Sequence, residues 1–545
     1  MTTQPFVRPG EPIRPPATAG GKIAVEPPIT APIPPPRSVW GIVLPITLVV
    51  GVAGFIIAMY VSGTRSFAIG FGIFGVMMLV ALILGFTFTL LAVALMFILS
   101  WFKPAGQVGK SNILADRHTG AVYVLVDGRL HPALSLASAR LIAGQATNPT
   151  FVKAAELAKY PQGPTVGIVG APAATPIRTT DVSAWAVCDT APVATATSSA
   201  GNAPVDTAVA GPLTVGQRSA PLQMPNAILA HYGGKTYVMW DGHRSEIDPT
   251  NKAVALALGV ESGAPDPIPL SKALFDALSA TDPLVSRRPR AGEPPPWDIA
   301  PGAVIGSVLS VRDLQQPGAN TLYVLLPNGV QQISPFVASL LRSANSFGDV
   351  APIEVAPDRL ARVPVVESLP VSFYPATRLQ LVDTTVNGTT CLAWSKGATD
   401  RAATITVLSG QGLPIPVSSD QQLIHLVKDV RDPATVEADQ AFIGKGSTNL
   451  VMTTSAAPAA YSRESLWWIS DQGVRYGIEL TDQSLCALGV FPATARQAPW
   501  PLVRVFAPGP ALSRADAMTQ HDALTPVLGA EALPTRAVTG AAGGP

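Results

Sequence analysis

Two short stretches carry the residue types of a phosphate-binding loop. In "FKPAGQVGKSNI", residues 102–113, the triplet Gly109-Lys110-Ser111 offers a flexible turn, a cation and a hydroxyl. The full pattern, G-x-x-x-x-G-K-[ST], needs a first glycine so that backbone amides can cradle phosphates ahead of a helix. Five residues before Gly109 stands Pro104. In "IGKGSTN", residues 443–449, Gly444-Lys445 is followed by Gly446, and Asp439 occupies the first glycine position. Both stretches fail the pattern, so Gly109, Lys110 and Ser111 are rejected as a nucleotide site. No HExxH or GxSxG occurs, and the six histidines are scattered without metal-ligand spacing. The expectation is no catalytic residue, no metal and no cofactor.

The three cysteines form no C-x-x-C. Cys188 in "SAWAVCD" and Cys391 in "TTCLAWS" lie in strand-like runs beside a tryptophan. If they lie outside the cytoplasm they can pair, and closing so long a loop would contribute roughly 4–5 kcal/mol in the chain-entropy description. Cys486 falls on a helical stretch, where it reads as a small buried apolar residue rather than a reactive thiol.

These residues sit on an uneven chain of 545 residues. A net charge of +1 gives no field favouring nucleic acid. Residues 1–37 are rich in proline and read as an extended tail, with no secretory signal. Val39–Val61 is an uncharged apolar run long enough for one bilayer crossing. After the polar break Ser62–Ser66, Phe67–Phe102 continues uncharged for 36 residues. As one helix it would be about 54 Å long, against a hydrocarbon core of about 30 Å. Two readings stand: two crossings, 67–85 and 86–103, or one crossing with an extension. Two crossings lack a polar turn to satisfy the backbone between them.

Beyond residue 103 one pattern occurs four times, beginning at Tyr123, Tyr237, Tyr323 and Trp467. A β-prone run meets a turn glycine (Gly128, Gly242, Gly329, Gly473). A return strand follows, then a cap-type residue (Ser135, Asp248, Ser334, Thr481) and an apolar-periodic helix. Pro249 and Pro335 fit the first helical position in two copies. The spacing of the glycines is irregular, which excludes a tandem solenoid. Strand-like runs at 164–172, 379–396 and 403–410 read as a central sheet, with Asn387-Gly388 as a hairpin turn.

Residues 103–142, "KPAGQVGKSNILADRHTGAVYVLVDGRLHPALSLASARLI", resemble the start of the periplasmic part of EccB, a membrane component of mycobacterial type VII (ESX) secretion systems. The resemblance continues through "AWAVCD" and "TTCLAWS" to "PWPLVRVFAPGPALSRADA". It implies one crossing, a periplasmic body of four small repeats around a central β-rich domain, and a Cys188–Cys391 disulfide. It also implies assembly with EccC, EccD, EccE, a mycosin protease, further EccB copies and membrane lipid. Residues 1–85 instead resemble the N-terminal membrane anchor of EccC, so the chain reads as an EccC-like anchor joined to EccB.

The expected fold is a membrane-anchored α+β chain with two or three transmembrane helices. It divides into a cytosolic tail (1–37), EccC-like helices (38–66 and 67–85) and an EccB-like helix (86–103). The first repeat (104–160) precedes one segment of the central domain (161–225). The second repeat (226–300) and the third (301–350) follow. The other segment of the central domain (351–455), the fourth repeat (456–510) and a C-terminal tail (511–545) complete the chain. The expected function is that of a structural subunit for protein export across the inner membrane, multi-pass with its body in the periplasm. An ATPase and a cell-wall-binding module are the competing readings.

Overall fold

The computed structural model describes residues 60, 67–102, 111–191, 203–260, 265–287, 292–312, 320–427 and 436–524. The expected tail 1–37, nearly all of the expected helix 38–66, Gly109, Lys110 and residues 525–545 lie outside them. The chain divides into two units, Met1–Pro104 and Ala105–Pro545.

In the first unit, Phe67–Phe102 is one unbroken helix of 36 residues. The separate helices expected at 67–85 and 86–103 are therefore one element. Nothing between them offers a turn. Thr87 Oγ1 donates to the carbonyls of Ile83 and Leu84, each at 2.9 Å, and Thr89 Oγ1 to that of Gly85 at 2.7 Å. The hydroxyls are satisfied inside the helix, and a lone glycine does not stop it. Within it, Leu79–Met96 is long and apolar enough to cross a membrane, with a mean hydropathy of 2.6.

The second unit is built on a seven-stranded sheet. Its order is Ile424–His425, Gln440–Ile443, Val205–Ala210, Val182–Thr190, Thr389–Gly397, Thr404–Gly410 and Ser219–Pro221. Its two longest strands, Val182–Thr190 and Thr389–Gly397, pair antiparallel at the centre. Two expected members belong elsewhere. Thr165–Val166 pairs with Gln520–His521 in a small ribbon, and Gln380–Leu381 joins Asn226–Tyr232. Asn387-Gly388 therefore connects two different sheets and closes no hairpin. Residues 511–521, expected to begin a tail, are packed: Leu512 and Ala517 are fully buried.

Four further sheets each contain a hairpin followed by a helix. In the first two, Asp127-Gly128 (φ 49° and 75°) and Asp241-Gly242 (φ 45° and 76°) form the two-residue turns that match strand twist. In the third, Leu326 pairs with Gly329, so Pro327-Asn328 makes the turn and the glycine opens the return strand. A Cβ there would run into the carbonyl oxygen of Pro364. In the fourth, Gly473 (φ 71°) closes a longer turn, and its N–H donates to the carbonyl of Ser470 at 3.1 Å.

Ser135, Ser334 and Thr481 cap their helices, accepting from the N–H of Ser138, Val337 and Ser484. The second helix differs from expectation. Its cap is Asn251, which accepts from Ala253 and Val254, and the helix runs Lys252–Leu258. Asp248 is spent on a local turn, accepting from the N–H of Thr250 at 2.9 Å, which places Pro249 before the helix.

The units pack in two pairs. Helix Leu136–Ala143 of the first lies against Asp482–Leu488 of the fourth, and Ile113, Val124, Leu141, Leu450, Trp468 and Leu488 share one core. Helix Lys252–Leu258 of the second lies against Pro335–Ala344 of the third, with Val238, Leu258, Val324 and Phe336 in another core. Cys486 lies on its expected helix but is exposed. Ser484, Ala487 and Leu488 form the buried face, and 100° per residue turns position 486 away from it.

The edge of the central sheet admits no side chain at residue 410. A Cβ on Gly410 would run into the carbonyl oxygen of Arg218, the residue just ahead of the neighbouring strand Ser219–Pro221. Gly410→Ala is expected to lower stability by about 1–3 kcal/mol, the usual cost of overpacking. A thermal or denaturant midpoint equal to that of the unaltered protein would contradict this.

Candidate functional site

Chemistry at the centre of the fold is covalent and structural. Cys188 and Cys391 stand directly opposite each other on the paired central strands. They form a disulfide with Cα atoms 4.0 Å apart. Both residues are fully buried, in a core shared with Leu413, Ile415 and Phe442. The bond joins strands 203 residues apart in sequence, and it fixes their register, because a one-residue slip would turn the two sulfurs to opposite faces.

The opposite face of the sheet carries Trp185, Val187, Leu392, Trp394 and Val407, and it receives the second and fourth hairpin units. Each unit carries a guanidinium among aromatic rings at the margin of that core. In the second, the Cζ of Arg244 lies 3.6 Å from the ring centre of Phe275 and 5.9 Å from that of Tyr237. Its Nε donates to the Phe275 carbonyl at 2.8 Å, and Tyr232 stacks on Phe275 at 4.0 Å. In the fourth, the Cζ of Arg475 lies 5.4 Å from both Trp467 and Trp500. Its Nε donates to the Phe506 carbonyl at 3.0 Å.

Burial pulls both guanidiniums below their ordinary pKa. The charges of Tyr237 and Asp276 oppose this at Arg244, and Glu437 opposes it at Arg475. The two arginines hold the same register position, opposite the residue two places beyond the unit's leading aromatic: Arg244 faces Met239 and Arg475 faces Ile469. In the other two units that position is Leu130, facing Leu125, and Val330, facing Leu325. Both are fully buried in small cores of their own. The inner and outer units thus differ in kind at this position. Nothing in the sequence reading singled out Arg244 or Arg475. The signal was available in the alignment of the four copies, as a basic residue two places after Gly242 and Gly473.

The inner units also touch one another. Asp276 accepts from Lys272 Nζ and from Arg504 Nη2, each at 2.7 Å, so one carboxylate ties the helix Lys272–Ala277 to the segment Trp500–Val503 and its cap.

The glycine-lysine stretches show no phosphate cradle among the described residues. Ser111 Oγ donates to the carbonyl of Ile113 at 2.8 Å, within its own loop. Residues 444–449 connect the strands Gln440–Ile443 and Leu450–Thr454, which belong to different sheets, so no helix N-terminus follows Lys445. Among the described residues no group of acidic, histidine or cysteine side chains could hold a metal ion.

An apolar helix long enough to cross a membrane, followed in the chain by a disulfide-locked sheet with docked hairpin units, is the plan of a structural scaffold. Residues 77–526 match the family described as "Type VII secretion system ESX-1, transport TM domain B". The chain belongs to this EccB family. It is 51% identical over 456 residues to "ESX-2 secretion system ATPase EccB2" of Mycobacterium tuberculosis, covering 84% of this chain and 90% of the relative. It is 39% identical over 430 residues to "ESX-5 secretion system ATPase EccB5" of the same organism, covering 78% of this chain and 83% of that one.

Among solved structures it resembles a chain of "an intact ESX-5 inner membrane complex", with a TM-score of 0.69 at 34% identity. That likeness covers 92% of this chain and 98% of the other. It also resembles a chain of the "EccB3 dimer from the ESX-3 core complex", with a TM-score of 0.63 at 33% identity, over 75% and 100% of the two chains. The match to the EccB family begins at residue 77, inside the helix and ahead of the junction expected at 85–86. With the helix unbroken there, neither finding supports an EccC-like segment ending at residue 85.

Three outcomes are expected. Cys188→Ser with Cys391→Ser should lower stability by about 2–5 kcal/mol, read from denaturant midpoints. Arg475→Met keeps the aliphatic stem and removes the charge and its hydrogen bond. It should cost about 2 kcal/mol, whereas Leu130→Met should cost under about 1.5 kcal/mol.

The third concerns pH. The hydrogen bond from Arg178 holds Asp471 below its ordinary pKa of 3.8, against a smaller effect of burial. Its contribution is therefore complete above that value and lost as pH falls through the lower folded one. Asp471→Asn should flatten the decline of stability below pH 3.8, measured as the midpoint against pH.

Proposed function

We propose that this chain is a structural subunit of a type VII secretion inner-membrane complex. Its helix anchors it in the inner membrane, and its body stands in the periplasm. There it organises the export assembly with further copies of itself, EccC, EccD, EccE and a mycosin protease. The observation that carries this reading is the likeness over 92% of the chain to a subunit of an intact ESX-5 inner membrane complex. The buried disulfide agrees with it, since such bonds persist in oxidising compartments.

The four hairpin–helix units are copies of one design in this reading. The second and fourth, which share the core on the central sheet and carry the ring-stacked arginines, form the inner joints. The first and third, with aliphatic residues at that position, extend the pairs outward. Replacing Arg244 and Arg475 together by Met should reduce the yield of the assembled complex on native gels while the chain still reaches the membrane. Unchanged complex would set the joints aside as assembly determinants.

An ATPase is the second reading, favoured by the word in the relatives' names. A phosphate loop in the stretch Gly109-Lys110-Ser111 would require the lysine. The purified full-length chain should release phosphate from ATP no faster than its Lys110→Ala variant. Turnover that is lost in the variant would overturn the structural reading.

A further inference from the structure

We propose that the first and fourth units form a latch that closes only on a complete chain, so that the unit made first is the one completed last. The proposal goes beyond the role given above and does not depend on the side of the membrane on which the body lies.

The first unit does not bury its helix-bearing face by itself. On the other face of its sheet, Leu114, Leu130, Val152 and Leu157 close a small core within the unit. Under the helix Leu136–Ala143 the construction is different. Ile113, Val124 and Leu141 share their core with Leu450, Trp468 and Leu488 of the fourth unit.

The segment that leaves the first unit is held in the same way. Thr165–Val166 pairs with Gln520–His521, and the Gly167 N–H donates to the Thr519 carbonyl at 3.1 Å. Further on, Asn449 donates through Nδ2 to the Pro176 carbonyl at 2.8 Å and accepts at Oδ1 from the Arg178 N–H at 2.7 Å. The indole of Trp468 donates to the same Pro176 carbonyl at 3.1 Å. Asn449 is buried and lies 271 residues from Arg178 in sequence. Every one of these partners stands at residue 449 or later.

The second and third units are built the opposite way. Their shared core, with Leu229, Leu258, Phe336 and Leu379, draws only on residues 227–381. Gln380–Leu381 closes it by pairing with Asn226 and Ala227, and the Tyr374 hydroxyl donates to the Val285 carbonyl at 2.8 Å. This half is contiguous in the chain, and the other half is split around it.

Contacts between neighbours in sequence form early, and those that close a long loop form late. A chain is also made from its N-terminus. While residues from 449 onward are missing, the helix-bearing face of the first unit has no cover. Apolar surface left open in this way leads to aggregation or proteolysis. The latch therefore admits only complete chains to the finished body.

Amide exchange resolved along the full chain tests this. Leu488→Ala empties part of the shared core, a loss that typically raises exchange by about 30-fold or more. It should do so by one factor in 113–168 and 450–521 and leave 227–381 as it was. Leu258→Ala should do the reverse. Protection in 113–168 that survives Leu488→Ala, or acceleration of all three segments by either variant alone, would overturn the latch. The unaltered chain gives a second reading that needs no variant. Pulse labelling during refolding from denaturant in detergent should show 227–381 protected first, with 113–168 and 450–521 gaining protection at a single later time constant. Protection of 113–168 ahead of 450–521 would overturn the proposal as surely.

Discussion

Everything in the body depends on the antiparallel pairing of Val182–Thr190 with Thr389–Gly397. The two strands come from opposite halves of the chain, and their joining brings the hairpin units around one sheet. Loop closure over so long a segment is entropically costly, and the Cys188–Cys391 bond removes much of that cost by restricting the unfolded chain. It also sets register. With Cys188 opposite Cys391, Trp185 stands opposite Trp394 on the other face, and that face receives the second and fourth units.

From this register follows the division between inner and outer units. The same hairpin is used four times, but the position facing the second residue beyond the leading aromatic answers to its surroundings. Against the large central core it is Arg244 or Arg475, whose flat cation fills space between rings while its Nε satisfies a backbone carbonyl. In the outer units the position closes a small core, and Leu130 or Val330 fills it without a polar group to satisfy. The second face of each unit is its helix, and the helices pair first with fourth and second with third. The first and fourth units are far apart in sequence and meet through a core of their own.

Local features were legible in the sequence wherever their cause was local. Asp127-Gly128 and Asp241-Gly242 announce tight turns because few other dipeptides accept two positive φ angles. Ser135, Ser334 and Thr481 announce helix starts because their hydroxyls reach a free N–H. The errors arose where two local solutions competed or where tertiary partners decided. Asp248 and Asn251 are both cap residues, and the turn at Thr250 takes the first. Asn387-Gly388 has hairpin chemistry, but its flanking strands find partners in different sheets. Cys486 is apolar by type, yet the face it occupies is set by the packing of Ala487 and Leu488. Bilayer thickness is a poor guide to the continuity of Phe67–Phe102, because a helix stops at a breaker or a cap, and the run offers neither. Arg244 and Arg475 carry no local signal of a site, because their partners, Phe275, Trp500 and Phe506, lie 25 or more residues away in sequence; only the alignment of the four copies sets them apart.

The scaffold reading makes the central pair the most stable part of the body and the element that holds all four units. Hydrogen–deuterium exchange on the purified chain, with and without the disulfide, tests this most directly. The account predicts that the amides of Val182–Thr190 and Thr389–Gly397 exchange slowest. It also predicts that replacing both cysteines by serine lowers protection in those strands and in the second and fourth units together. Hairpin units that keep their full protection while the central strands exchange freely would contradict it.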